Sequence, residues 1–369
     1  MVWDRVAHTV TLMTGIAKVS VTYADARSAF RSEAAASGAR LQQFPHPMKG
    51  PDHEELAIDV AEFGPAETTE VVVVVSATHG VEGFSGSALQ RRWLETRAIE
   101  RPESVGLIMI HALYPYGFAW VRRVNEDNVD LNRNFIDWNQ PAPANLEYDR
   151  IADLIVPTDW SEAEQARTFV ALLDFVNDVG LDRMQTIVSS GQYTNPTGVF
   201  YGGTEPVWSH RWLRSWAVQR LTNVRRLTII DLHTGLGEWG HGELLGSEKS
   251  DSAAHLRAAA LWGDVRSMFD GNSVSAVLTG DWLAVAHELA PTAEVTAAAL
   301  EFGTVDPIAV LQALRADAWL HGYGGRTSER GAAIRAQVRA AFADDDPAWI
   351  AALWPRFHEV LSKALLQSS

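Results

Sequence analysis

Apolar positions along the chain fall into alternating strand and helix patterns. A helical period covers residues 23–37, and strand-like stretches follow at 40–44 and 56–63. Val71-Val72-Val73-Val74-Val75-Ser76 is an unbroken β-branched run. A strand that is apolar on both faces must be covered on both sides, so this run predicts a central strand. It stops at Ala77-Thr78-His79-Gly80, and a helix is expected over 86–97. The next strand, 105–111, ends at Tyr114-Pro115-Tyr116-Gly117. After a loop-rich stretch the pattern predicts a helix at 162–176, a strand at 185–190 and a helix at 207–221. Strands at 227–233 and 294–302 follow, then a helix from 307, and two helical segments close the chain. Trp208, Trp212 and Trp216, at i, i+4 and i+8, read as the buried stripe of a helix. Strands alternating with helices predict an α/β fold, a parallel or mixed sheet with helices on both faces. Ligands bind such sheets beyond the carboxyl ends of the strands, and the polar clusters fall at those ends.

Composition narrows the chemistry. A chain of 369 residues can bury a large core, and no linker or internal repeat divides it. Residues 1–369 therefore read as a single domain, with C-terminal helices from about 328 packing on it. There are no cysteines, which excludes disulfides and thiolate-bound metal and leaves histidine and carboxylates as the strong ligands. A formal charge of -15 opposes non-specific binding to nucleic acid. The longest apolar run is too short to span a bilayer. Residues 1–5 lead into no apolar leader segment. These features fit a cytoplasmic enzyme with neither a membrane nor a nucleic-acid partner.

His79-Gly80-Val81-Glu82 follows directly on the valine strand. A histidine and a glutamate three apart in a turn can point at one centre, and Gly80 and Gly83 let the backbone bend tightly there. Neutral imidazole and carboxylate are good zinc ligands, and three of them leave a tetrahedral position open. The candidate third ligand is His233, at the end of the strand predicted over 227–233. A His-x-x-Glu pair alone is weak, because such pairs arise by chance as surface residues or strand caps.

The segment between the two histidines, Asn125-Glu126-Asp127-Asn128-Val129-Asp130-Leu131-Asn132-Arg133-Asn134-Phe135, would by composition be a solvated loop. In company with the other motifs it reads differently. His-Gly-Val-Glu at 79–82 resembles the first metal motif of the zinc carboxypeptidases, and Val-Asp-Leu-Asn-Arg-Asn-Phe at 129–135 their substrate clamp. Asp-Leu-His-Thr at 231–234 resembles the third-ligand strand of the related aspartoacylase and succinylglutamate desuccinylase branch. Leu-Glu-Phe-Gly-Thr at 300–304 resembles the catalytic-glutamate strand. The four occur in family order and span most of the chain. The nearest likeness is to a bacterial branch of this superfamily that carries segments similar to those at 122–135 and 231–237.

This resemblance implies a three-layer α/β/α fold with a central mixed, largely parallel sheet, zinc carboxypeptidase-like or phosphorylase/hydrolase-like. It implies one Zn2+ per chain on His79, Glu82 and His233. Glu301 is then the general base that takes a proton from water and delivers it to the leaving nitrogen. Either Arg122 or Arg123 matches the arginine that faces the tetrahedral oxyanion, with Arg123 preferred. Asn132 and Arg133 match the pair that grips a substrate carboxylate, a task suited to a planar guanidinium. Asp130 matches the carboxylate that orients the first histidine.

The implied activity is zinc-dependent cleavage of an amide bond in a small carboxylate-bearing substrate, as a carboxypeptidase-like peptidase acting on small peptides. The alternative is a deacylase of N-acyl amino acids. A non-catalytic carboxylate-binding protein is the reading from another class. A serine hydrolase using Ser189-Ser190-Gly191 lacks the Gly-x-Ser-x-Gly elbow. The chain departs from the carboxypeptidases in having no tyrosine between His233 and Glu301; Trp239 and Trp282 stand in that interval without a phenolic proton. Among the other histidines, His46 and His53 flank a Pro/Gly loop and are expected in solvent. His111 is expected in the core or behind the site, and His241 is a lesser candidate for substrate contact.

Overall fold

The computed structural model describes residues 18–96, 101–325 and 327–367. The leader reading at residues 1–5 and the last residue of the helix expected over 86–97 lie outside them. Among the described residues, β1 (Arg40–Lys49), β2 (Glu55–Phe63), β3 (Glu70–Val75), β4 (Val105–His111), β5 (Arg226–Trp239), β6 (Gly242–Gly246), β7 (Val265–Ser267) and β8 (Glu294–Gly303) form one mixed sheet. Their spatial order is β1-β2-β4-β3-β5-β8-β6-β7. The central strands β4, β3, β5 and β8 run parallel. β1 and β2 join one edge antiparallel. At the other edge β6 is antiparallel to β8 and parallel to β7.

The valine strand is central, as its composition requires. Val72 and Val74 pack into a core with Phe30, Leu89, Trp93 and Trp349, whereas Val71, Val73 and Val75 join Leu213, Trp216 and Trp282. Alternate side chains thus feed two cores on opposite faces, each full valine burial contributing roughly 1.5–3 kcal/mol. Helices Tyr23–Ala36, Gly83–Thr96, Ala253–Trp262 and Pro347–Leu366 supply the first face and Trp208–Leu221 the second. The result is the expected three-layer α/β fold. No helix of the described residues is long and apolar enough to cross a membrane.

Three expectations change. The strand expected over 185–190 is the end of a helix, Leu181–Ser189. Met184, Ile187 and Val188 are its buried residues, spaced i, i+3 and i+4, a helical period that a short apolar run does not distinguish from a strand. β5 does not stop at His233 but continues to Trp239, because β8 keeps pairing with it: Gly235 and, across an irregularity, Trp239 both stand opposite Gly303. What stops near His233 is its other neighbour, since β3 ends with Val75 opposite Asp231. Finally, His46 is buried: Nε2 lies 3.3 Å from Glu126 Oε1 and the ring meets Trp208 edge-on at 4.6 Å. His53 is exposed, as expected.

Candidate active site

The ends of β3, β5 and β8 bring the main polar residues together. After β3, His79 caps a single 3-10 turn, Gly80–Glu82, that turns Glu82 back toward it. Gly80 is needed for close approach rather than for a left-handed backbone: a Cβ there would sit 2.1 Å from the Gly117 carbonyl carbon. Strain is carried instead by residues with side chains. Ala77 has φ +58°, Val121 +56° and Phe200 +53°, each costing on the order of 1–3 kcal/mol. Phe200 itself lines the cleft, and Ala77 and Val121 stand two residues before His79 and Arg123, which also line it.

His79, Glu82 and His233 converge as a group of three buried side chains that could hold a metal ion. His79 Nδ1 is 2.9 Å from Glu82 Oε1, His233 Nδ1 is 2.9 Å from Glu82 Oε2, and the two Nδ1 atoms are 3.2 Å apart. Each ring turns its other nitrogen to a carboxylate. His233 Nε2 lies 2.8 Å from Asp231 Oδ2, and His79 Nε2 3.3 Å from Asp130 Oδ1. A proton on His233 Nε2, toward Asp231, leaves that ring's Nδ1 lone pair facing the common point. His79 Nδ1 faces it in the same way when Nε2 gives its proton to Asp130, an arrangement in which the Arg123 guanidinium, itself a donor, draws back from that nitrogen. The donor set fits zinc: two bonds of about 2.0–2.1 Å at a tetrahedral angle hold their nitrogens roughly 3.3 Å apart.

The electrostatics also ask for a cation. Burial alone would push the His233 imidazole down, but the Asp231 and Glu82 carboxylates hold it well above its ordinary value. Burial likewise opposes ionisation of Glu82, and the His79 and His233 charges overcome it and hold the carboxyl far below its usual range.

Asp231 is the orienting residue that the sequence reading passed over. Thr78 Oγ1 donates to its Oδ1 at 2.6 Å and Trp282 Nε1 to its Oδ2 at 2.8 Å. Its position two residues before His233 on a strand, hence on the same face, is the signal that could have found it. Trp282 therefore backs the cluster, whereas Trp239 is exposed and bonded to Asp344.

The two arginines diverge. Arg123 lies on the cluster, with Nη1 3.0 Å from Glu82 Oε1, Nε 2.9 Å from Asp130 Oδ2 and Nη2 2.8 Å from His79 Nε2. Arg122, the other arginine considered for the oxyanion, turns away from the cluster. Its guanidinium is spent on Asp317 at 3.0 Å, the Asn125 carbonyl and Asn128 Oδ1.

Glu301 stands opposite His233 on β8 and accepts from Leu236 N at 2.9 Å. Burial first, and then the Glu82 charge, raise its carboxyl to about 7. Arg133 is buried; Nε and Nη2 bond to the Ser189 carbonyl and Nη1 to that of Asn132. Asn132 Oδ1 is buried without a hydrogen-bond partner, a state that costs about 1–3 kcal/mol until something supplies a donor. His79, Arg123, Asn132, Arg133, His233 and Glu301 all line one cavity of about 260 Å³. Among the described residues no tyrosine lines it, and His241 lies outside it. His111 is in the core, with Nε2 2.9 Å from Ser87 Oγ. Ser190 Oγ accepts from Asn145, not from an imidazole.

The chain belongs to the family described as "Protein of unknown function (DUF2817)", whose model matches residues 19–356. No curated protein matches it in sequence. Among solved structures it is similar to carboxypeptidase A from Helicoverpa armigera, with TM-score 0.49 and 14% identity over 89% of this chain and 75% of that one. It is also similar to an aspartoacylase family protein from Mesorhizobium loti, with TM-score 0.37 and 15% identity over 79% and 68%. The succinylglutamate desuccinylase from Chromobacterium violaceum gives TM-score 0.37 and 12% identity over 86% and 74%.

Proposed function

We propose that this DUF2817 chain is a zinc-dependent hydrolase that cleaves an amide bond in a small substrate bearing a free carboxylate. One observation carries the reading: two imidazoles and a carboxylate face one point, each ring has a carboxylate behind it, and a further glutamate stands beside His233 on the neighbouring strand. A surface His-x-x-Glu pair has no need of Asp130 and Asp231, both fully buried.

When bound at His79, Glu82 and His233, zinc supplies Lewis acidity, which makes water acidic enough to ionise near neutral pH. The residues do the rest. Glu301, with a carboxyl raised toward neutrality, is suited to take a proton from water and pass it to the leaving nitrogen. Arg123 brings positive charge beside the cluster, where the carbonyl oxygen becomes negative. Arg133, with Asn132, grips the substrate carboxylate. Asp130 and Asp231 keep the two rings aimed. Small peptides and N-acyl amino acids both satisfy this description.

Elemental analysis tests the reading first. The purified chain should carry about one zinc, and the His79→Ala chain should lose it. Metal in neither protein, even after zinc is supplied, would remove the hydrolase reading and leave a carboxylate-binding cleft.

A further inference from the structure

Resting on that hydrolase reading, we propose that the substrate is an N-acyl amino acid with an apolar acyl chain, rather than a peptide. The cleft has two walls, and their polar content differs. On one side is Arg133, tied to the last residue of the Leu181–Ser189 helix, with Gly280 against its backbone. This wall carries the charge that a carboxylate needs, and Met184 and Val188 beside it suit an apolar amino-acid side chain.

The other wall lies past Glu301. Phe342 and the Glu301 carboxylate both come within 3.6 Å of where a Cβ on Gly235 would stand. Ile308, Leu311 and Leu314, spaced i, i+3 and i+6 on the Pro307–Gly322 helix, continue it, together with Leu236. Three polar groups of this wall are already engaged. Thr234 Oγ1 donates to the Phe342 carbonyl at 2.5 Å, Leu236 N to Glu301, and the Gly235 carbonyl accepts from Thr304 Oγ1 at 3.0 Å.

This decides the class of the group on the acyl side. A peptide continued along this wall would bring an N–H and a C=O at every residue, and each one left unpaired costs affinity. A hydrocarbon chain brings none and gains from the apolar surface. In the reaction the amide C–N bond breaks and a C–O bond to water forms. Both protons of the water end on the nitrogen, giving a fatty carboxylate and an amino acid with a protonated amine.

Binding separates this inference from the hydrolase reading. Calorimetry on the zinc-loaded Glu301→Gln protein would compare N-acetyl-, N-octanoyl- and N-dodecanoyl-leucine with Gly-Gly-Leu. Affinity is expected to rise by roughly fourfold per methylene until the wall is filled. Ile308→Asp, at a half-exposed residue, should cut the octanoyl-to-acetyl preference by at least about tenfold. Leu311→Asn should do so less strongly, and circular dichroism would check the fold of both variants. Affinity independent of chain length, or tighter binding of the tripeptide, overturns the acyl class. Length-dependent binding with no leucine released by the zinc-loaded parent keeps the apolar site and removes the hydrolase reading.

Discussion

His111 and His233 are both buried on the central sheet, on β4 and β5, with β3 between them. Their chemistry is opposite. The His111 ring stacks on Phe30 at 4.4 Å, one nitrogen meets the Ser87 hydroxyl, and the other has no partner. Burial, helped by the charges of Arg27 and Arg91, pushes it down to about 3. His233 is as deeply buried, yet carboxylates on both of its nitrogens hold it well above the ordinary value. Burial by itself makes an inert, neutral imidazole. A buried histidine becomes a site when the fold also buries carboxylates against it, and such burial is costly unless a positive charge completes the group.

The strongest test of that contrast removes a cleft carboxylate that bonds to neither ligand ring. Glu301→Gln should keep zinc bound while kcat falls by about 10²–10⁴. Near-normal turnover would take Glu301 out of the mechanism. The same pair of proteins sharpens the point through pH. A general base must be ionised, so kcat/KM of the parent should fall as pH drops through the Glu301 pKa. Burial and the Glu82 charge place that carboxyl at about 7 in the metal-free chain, and a bound dication shifts it lower. The acid limb should therefore lie below pH 7, and it should be missing from the residual activity of the variant.

A smaller effect is expected where the carboxylate acts through a ring. Asp231→Asn keeps the shape and the Thr78 contact but removes the charge behind His233. Outer partners of this kind are typically worth 10–100-fold in metal affinity. A competition titration with a zinc chelator would measure it. Unchanged affinity would mean that the pairing of His233 with Asp231 is structural only. Trp282→Phe, which removes one donor to the same carboxylate, should weaken zinc less than Asp231→Asn does.

Much of this architecture was legible in the chain, and the parts that were not share a cause. The valine run announced a central strand because nothing but burial on both faces tolerates it. His79, Glu82, Asp130, Asn132 and Arg133 sit in compact motifs whose members the local backbone brings close. Asp231 was harder, since its two other partners, Thr78 and Trp282, are 153 and 51 residues away. The choice between Arg122 and Arg123 turned on Asp317, on a helix 195 residues further along. His46 reads as a loop residue until Trp208 and Glu126 are folded over it. β6 and β7, of five and three residues, are too short to show a period. The misread helix at Leu181–Ser189 matters most, because it forms the wall behind Arg133.

The smallest expected effect lies at the other histidine. His111 binds a proton readily in the unfolded chain, with a pKa near 6.5, but in the folded chain only near 3. Above pH 6.5 both states are neutral there and the residue does not make stability depend on pH. As pH falls below 6.5, the unfolded state takes up the proton first, so stability falls by about 1.4 kcal/mol per pH unit until the folded state also protonates. At pH 5 the loss from this residue is about 2 kcal/mol. His111→Gln should be less stable than the parent at pH 7, because the stack on Phe30 is lost, but its stability should fall less between pH 7 and pH 5. Denaturant unfolding of both proteins at the two pH values gives the difference directly, since other titrating groups are common to both. Parallel losses would mean that the ring gains its proton without unfolding, and that burial on β4 is less complete in solution than the contrast with His233 requires.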